Sequence, residues 1–372
     1  MTGSARPASD PTAQNTPVTT LTLRARFVRL ILTLVIGAAG GWLFDQGDLP
    51  LAWMIGALVF TTVAAIAGAP LHSSQKVRQP LVAIIGVLLG AQFTPEMAAR
   101  IPEWWVTVLA LILYIGVCTV LLYWYFRRFL GHDPVTAYCA ATPGGLNEMV
   151  LVAQDMGGDD RTVALVHAAR VLITVLVVPF GFILLGLYDQ GDKPPLGAAF
   201  ADISTYEAVI LTAGGLVGFF GARAMRIPAA ALTGPMVVSA ILHLVGASTI
   251  APPGPLVAAA QVVVGSALGA RFASVPVTQV LRTIVHSLGA TAVMIGITIG
   301  LAAGTAQFVD ASIPALVLAL SPGGLAEMSL IALALGIEAA FVAGHHIIRI
   351  AVIVIAMPTI FRRVRRAVDK EF

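Results

Sequence analysis

The sequence predicts an all-α, multi-pass membrane protein made of two homologous units, on three observations. Of its 372 residues, 58% are hydrophobic and 11% charged, with a mean hydropathy of +0.90, which is outside the usual composition of soluble domains. Apolar runs at 27–44, 51–69 and 104–126 approach the ~20 residues a helix needs to cross the hydrocarbon core. The third observation is an internal repeat, which sets the organisation of the chain.

Thr142-Pro143-Gly144-Gly145-Leu146-Asn147-Glu148-Met149 recurs 179 residues later as Ser321-Pro322-Gly323-Gly324-Leu325-Ala326-Glu327-Met328. The same offset pairs His167 with His346, Arg170 with Arg349 and Pro179 with Pro358. Nearer the start of each unit the offset is 178, pairing Pro50 with Pro228, Gly56 with Gly234 and Gly68 with Gly246. Apolar matches arise by chance in membrane sequences, but ordered matches of Pro, Gly, Glu, His and Arg do not. Each unit reads as six apolar segments, the first unit spanning 23–188 and the second 205–361. A polar linker, 189–204, contains Pro194-Pro195. The Ser, Thr and Pro-rich stretch 1–22 lacks the pattern of a secretory signal and reads as a disordered cytoplasmic tail, with a basic tail at 362–372.

The fifth segment of each unit is broken by Pro143-Gly144-Gly145 or Pro322-Gly323-Gly324, since proline removes a backbone donor and glycine favours a turn. Arginine and lysine concentrate on cytoplasmic loops, and Arg29, Lys76, Arg128, Arg226, Arg282 and Arg365 all fall on one side only if one late segment of each unit enters and leaves by the same face. The prediction is therefore about ten crossings plus two re-entrant broken-helix hairpins, with the units inverted and both termini cytoplasmic in a bacterial inner membrane. The alternative is twelve crossings with parallel repeats.

Broken helices at membrane depth survive where protein or a wet cavity surrounds them, so the breaks are the expected substrate site. Thr142, Pro143, Gly144, Gly145 and Asn147, with Ser321, Pro322, Gly323 and Gly324, are its expected cradle. Glu148 and Glu327 occupy the capping-box position of the half-helix after each break, and an intramembrane acid also suits ion coupling. Arg170 and Arg349 lie deep in apolar helices, either paired with the glutamate of their hairpin or facing a small anion. His167 and His346, one turn before each arginine, are expected to relay protons or to pack as neutral histidines. Asn147 is matched by Ala326, which makes the two hairpins chemically unequal.

Other classes fare worse. Seven histidines show no metal-gathering spacing, no nucleophile elbow or phosphate loop occurs, and no cofactor, metal or enzymatic activity is expected. Cys118 and Cys139 sit in apolar sequence and indicate no disulfide framework. A small solute or ion and membrane lipid are the expected partners. A homo-oligomer is compatible with the sequence, and nucleic acid has no domain to bind.

The duplicated [ST]-P-G-G-x-x-E-M motif and the following H-x-x-R resemble the AbrB duplication family of bacterial inner-membrane proteins over about 27–361. Members are often labelled transcriptional regulators or ammonia monooxygenases. The family resembles the cation:proton antiporter and anion transporter superfamily, which implies inverted repeats with broken helices. The expected function is ion-coupled secondary transport of a small anionic solute. The alternative is a membrane sensor that binds a ligand in the same pocket and affects gene expression indirectly.

Overall fold

A computed structural model describes residues 22–187 and 196–371. The expected N-terminal tail, apart from Thr22, and the Pro194-Pro195 part of the linker lie outside the described residues. The first half holds α1 (Leu23–Gln46), α2 (Ala52–Ile66), α3 (Gln75–Gly90), the five-residue α4 (Pro95–Ala99), α5 (Trp105–Arg128), α6 (Pro134–Ala141), α7 (Leu146–Met156) and α8 (Asp160–Leu184). The second holds α9 (Thr205–Ala224), α10 (Ala230–Leu244), α11 (Gly254–Gly269), α12 (Val277–Thr305), α13 (Ile313–Leu320), α14 (Leu325–Ala334) and α15 (Ala339–Glu371). Among the described residues there is no strand beyond an isolated bridge between Ala198 and Pro253. The expected basic tail is helical as far as Glu371, as a continuation of α15.

Among the described residues seven helical stretches are long and apolar enough to cross a membrane, and α2, α10 and α14 are shorter apolar helices. This is a multi-pass membrane protein. Hydrophobic residues such as Phe27, Trp42, Leu113, Trp124, Phe220 and Leu288 are exposed along α1, α5, α9 and α12, a surface that suits lipid rather than water.

Backbone irregularities recur at the offsets of the sequence repeat. Asp48 and Arg226 have φ of 54° and 55°, Leu51 and Ala229 have 48° and 52°, and Gly157 and Gly336 have 78° and 63°. A left-handed non-glycine residue costs of order 1–3 kcal/mol and persists where packing dictates it. Leu51 and Ala229 each stand immediately before a short helix, α2 and α10.

The helices pack as two bundles. One contains α1, α2, α3, α9, α10 and α11; the other contains α5 to α8 and α12 to α15. Gly40 meets Gly56 and Gly218 meets Gly234 in the first bundle, so closely that a Cβ at any of the four would run into the opposing backbone. Small residues let membrane helices approach in this way without a hydrophobic driving force. The bundles touch chiefly where α3 meets α14 and α15 and where α8 meets α2 and α11.

The second bundle carries the two breaks. Asp159 N–H, after α7, donates to Thr136 Oγ1 in the first turn of α6 at 2.7 Å, so the outer ends of these half-helices stand side by side. Arg100 donates to Glu338 Oε1 at 2.9 Å and to the Asp310 carbonyl, gathering the segments just before α13 and just after α14. Arg100 precedes α5, whereas α6 follows the far end of α5. That helix has 24 residues, about 36 Å at 1.5 Å per residue. The open ends of the two hairpins therefore lie at opposite ends of α5.

Candidate functional site

Each break begins where proline interrupts the helix. An N–H at position 143 would bond the Cys139 carbonyl four residues back, and Pro143 has none; Pro322 leaves Leu318 in the same condition. His167 Nε2 donates to the Cys139 carbonyl at 2.9 Å, and His346 Nε2 to the Leu318 carbonyl at 3.0 Å. Arg170 then donates to the carbonyls of Thr142 at 3.1 Å and Gly144 at 2.8 Å, and Arg349 to those of Ser321 and Gly323, both at 2.5 Å. The arginine also donates to the Nδ1 of the histidine one turn earlier, at 3.0 Å for Arg170 and 2.8 Å for Arg349. A cation with five donors at the carbonyl end of a half-helix satisfies orphan acceptors and opposes the negative end of the dipole.

These contacts correct several sequence-based expectations. Arg170 and Arg349 are buried behind the breaks, with their guanidinium groups on backbone carbonyls, and the cavity in front of them is lined by other residues. No ion pair joins them to Glu148 or Glu327; among the described residues the salt bridges are those of Arg100. Each histidine has its Nε2 hydrogen directed at a carbonyl and its Nδ1 lone pair at a guanidinium that can only donate. That fixes one neutral tautomer and leaves no nitrogen free to relay a proton. The hydroxyls of Thr142 and Ser321 turn back to the carbonyls of Tyr138 at 2.9 Å and Val317 at 2.7 Å, and these residues with Pro143 and Pro322 lie off the cavity.

The cavity, about 440 Å³, lies between the two bundles where the tips of both hairpins meet. Gly144, Gly145, Asn147 and Glu148 line it from one break, and Gly323, Gly324 and Glu327 from the other. Both glutamates sit in the first turn of their half-helices, and each carboxylate folds back so closely over its cap glycine, Gly145 or Gly324, that a Cβ there would collide with it. Each carboxylate thus lies at a helix N-terminus, and both N-termini border the cavity. Glu327 is buried and Glu148 half-buried.

The facing wall supplies residues that the sequence did not mark as part of a site. Gln75, Arg78 and Gln79 come from α3, Arg223 from α9, and Arg271 from the turn after α11. Their signal was legible in part: 75, 78, 79 and 82 follow the spacing of one helix face. Arg271 crosses the seam and donates to Asn147 Oδ1 at 3.2 Å. Among the described residues no group of three or more His, Cys, Asp or Glu side chains is placed to hold a metal ion.

A family model described as "Transition state regulatory protein AbrB" matches residues 53–365, which include both breaks and both His-Arg clamps. The chain belongs to the AbrB family. It is 26% identical over 357 residues to an uncharacterized protein, YhjN, of Bacillus subtilis (strain 168), covering 88% of this chain and 91% of that one. It is 25% identical over 315 residues to a protein of Escherichia coli (strain K12) described as a candidate regulator, AbrB, covering 84% and 90%.

Proposed function

We propose that this AbrB-family protein is an ion-coupled secondary transporter of a small anionic solute, not an enzyme, with its site in the cavity between the hairpin tips. One observation carries the reading: two broken helices, opening at opposite ends of α5, bring their tips and acid-bearing N-termini to one cavity between separate bundles. In a bilayer that geometry corresponds to inverted re-entrant hairpins meeting near the midplane, an arrangement suited to alternating access. Glu148 and Glu327 are the coupling carboxylates, and the His-Arg clamps keep the breaks rigid. The protein sits in the bacterial inner membrane with its termini in the cytoplasm, and the cavity's arginines then border the cytoplasmic side.

The description of the Escherichia coli relative as a regulator favours a second reading, a membrane sensor that binds the same solute without moving it. Reconstituted proteoliposomes separate the two. Accumulation of an anionic solute driven by a proton or Na⁺ gradient supports transport; saturable binding with no flux under either gradient supports the sensor.

A further inference from the structure

We infer that the solute is a small dianion of the dicarboxylate type, held by Arg78 and Arg271, and that the charge of Glu327 in the same cavity opposes its binding. The inference rests on the reading of this cavity as the solute site.

The charges are segregated by bundle. All three arginines of the cavity, Arg78, Arg223 and Arg271, belong to the bundle of α3, α9 and α11, while both carboxylates belong to the hairpins. Three arginines against two carboxylates leave one positive charge, and two half-helix N-termini add about half a charge each. The cavity thus carries roughly two positive charges with both carboxylates ionised and about three once Glu327 is protonated, so a dianion balances it better than a monoanion in either state. Its volume of about 440 Å³ accommodates a four- to six-carbon acid with some of its water, within the ~300–1,000 Å³ of ordinary ligand sites. Guanidinium forks match carboxylates in plane and spacing, which favours carboxylates over compact halides.

Two details bear on how the site fills. Arg271 donates to Asn147 Oδ1, a neutral acceptor that a carboxylate readily replaces. Glu327 shares the cavity wall with Arg78 and Arg271. The other ionisable groups facing the cavity are Glu148 from α7 and Arg223 from α9, while α8, α10 and α15 contribute apolar side chains. No ion pair joins Glu327 to either arginine, but its ionised charge offsets theirs across the cavity, and protonation leaves more of that positive charge to the solute. Because linkage is reciprocal, solute binding then takes up a proton, and the two travel in the same direction.

Isothermal titration of the purified full-length protein tests this, using succinate and butyrate as probes at about pH 6 and about pH 8. Succinate is expected to bind at least ~10-fold tighter than butyrate, and tighter at the lower pH. Arg271→Gln is expected to weaken succinate binding ~10-fold or more with the melting temperature retained; should it fail to fold, Arg78→Gln carries the same expectation. Glu327→Gln is expected to tighten succinate binding at the higher pH and to flatten its pH dependence. Equal affinity for the two probes, or undiminished succinate binding in folded Arg271→Gln and Arg78→Gln proteins, overturns the inference. Succinate binding without flux removes the transporter reading and leaves this inference standing, whereas flux confined to monoanions does the reverse.

Discussion

Arg170 Nη2 donates to the Gly144 carbonyl at 2.8 Å, so the most deeply placed cation of the first unit closes the break from behind. The equivalent bond of Arg349 to Gly323 makes this a property of both hairpins. A cost of at least ~2.5–3.5 kcal/mol for arginine at such a depth is offset by two carbonyl acceptors and a histidine nitrogen per guanidinium.

Arg170→Leu is therefore expected to destabilise the protein by about 3–5 kcal/mol, because several buried acceptors lose their donors together. Arg170→Lys should recover only part of that loss, since an ammonium lacks the planar fork that reaches both carbonyls. Chemical denaturation in detergent measures both. Wild-type stability in Arg170→Leu with solute binding lost would reverse the assignment and return Arg170 to the cavity.

Gly324→Ala is expected to displace the Glu327 carboxylate, since the new Cβ would occupy its place. Stability should fall, and removing the obstruction with Glu327→Ala in the same chain should restore part of it. Additive losses in the double variant would show that the two residues do not share that space. Melting curves of the three variants decide the matter, and Gly145 with Glu148 provides the matching pair.

Much of the architecture was written in the sequence because membrane helices announce themselves by composition, and the repeat by Pro, Gly, Glu, His and Arg in fixed order. The breaks were legible for the same reason: Pro143 and Pro322 cannot continue a helix. The roles around them were not. His-x-x-Arg gives the spacing of one helix face but not which way that face points, and only the fold shows it turned toward the orphan carbonyls of Cys139 and Leu318. Arg78 and Arg271 were hidden differently. Arg78 stands in the first turn of α3 and Arg271 just after α11, where a cation ordinarily marks a cytoplasmic loop, and they reach the cavity because α3 begins and α11 ends beside the hairpin tips. Neither has a counterpart at the repeat offset, so the symmetry that exposed the breaks gave no help with them.

The orientation reading predicts that Lys76→Cys and Arg226→Cys label from the cytoplasm and Asp310→Cys from the opposite side. All three positions are exposed, while native Cys118 and Cys139 are fully buried and should contribute little background. Maleimide labelling of cells with impermeant and permeant reagents reads this directly. Labelling of Lys76→Cys and Asp310→Cys from one side would sink the inverted arrangement.

The two carboxylates are expected to differ in what they couple. Glu327 is buried at the cavity, beside arginines from the facing bundle, while Glu148 is half-buried next to Asn147, itself occupied by Arg271. Glutamine keeps the shape of the side chain and a carbonyl acceptor beside the cap glycine but cannot titrate. Glu327→Gln should thus fold and insert normally, keep solute binding, and lose the dependence of uptake on external pH. Glu148→Gln should fold as well and keep more of that dependence, because the charge it removes is better solvated and its loss changes the field at the solute less. Uptake into proteoliposomes over a pH series, with melting temperatures recorded in parallel, distinguishes the variants. Unchanged pH dependence in a stable Glu148→Gln, Glu327→Gln protein would remove both carboxylates from coupling and leave them as caps of their half-helices.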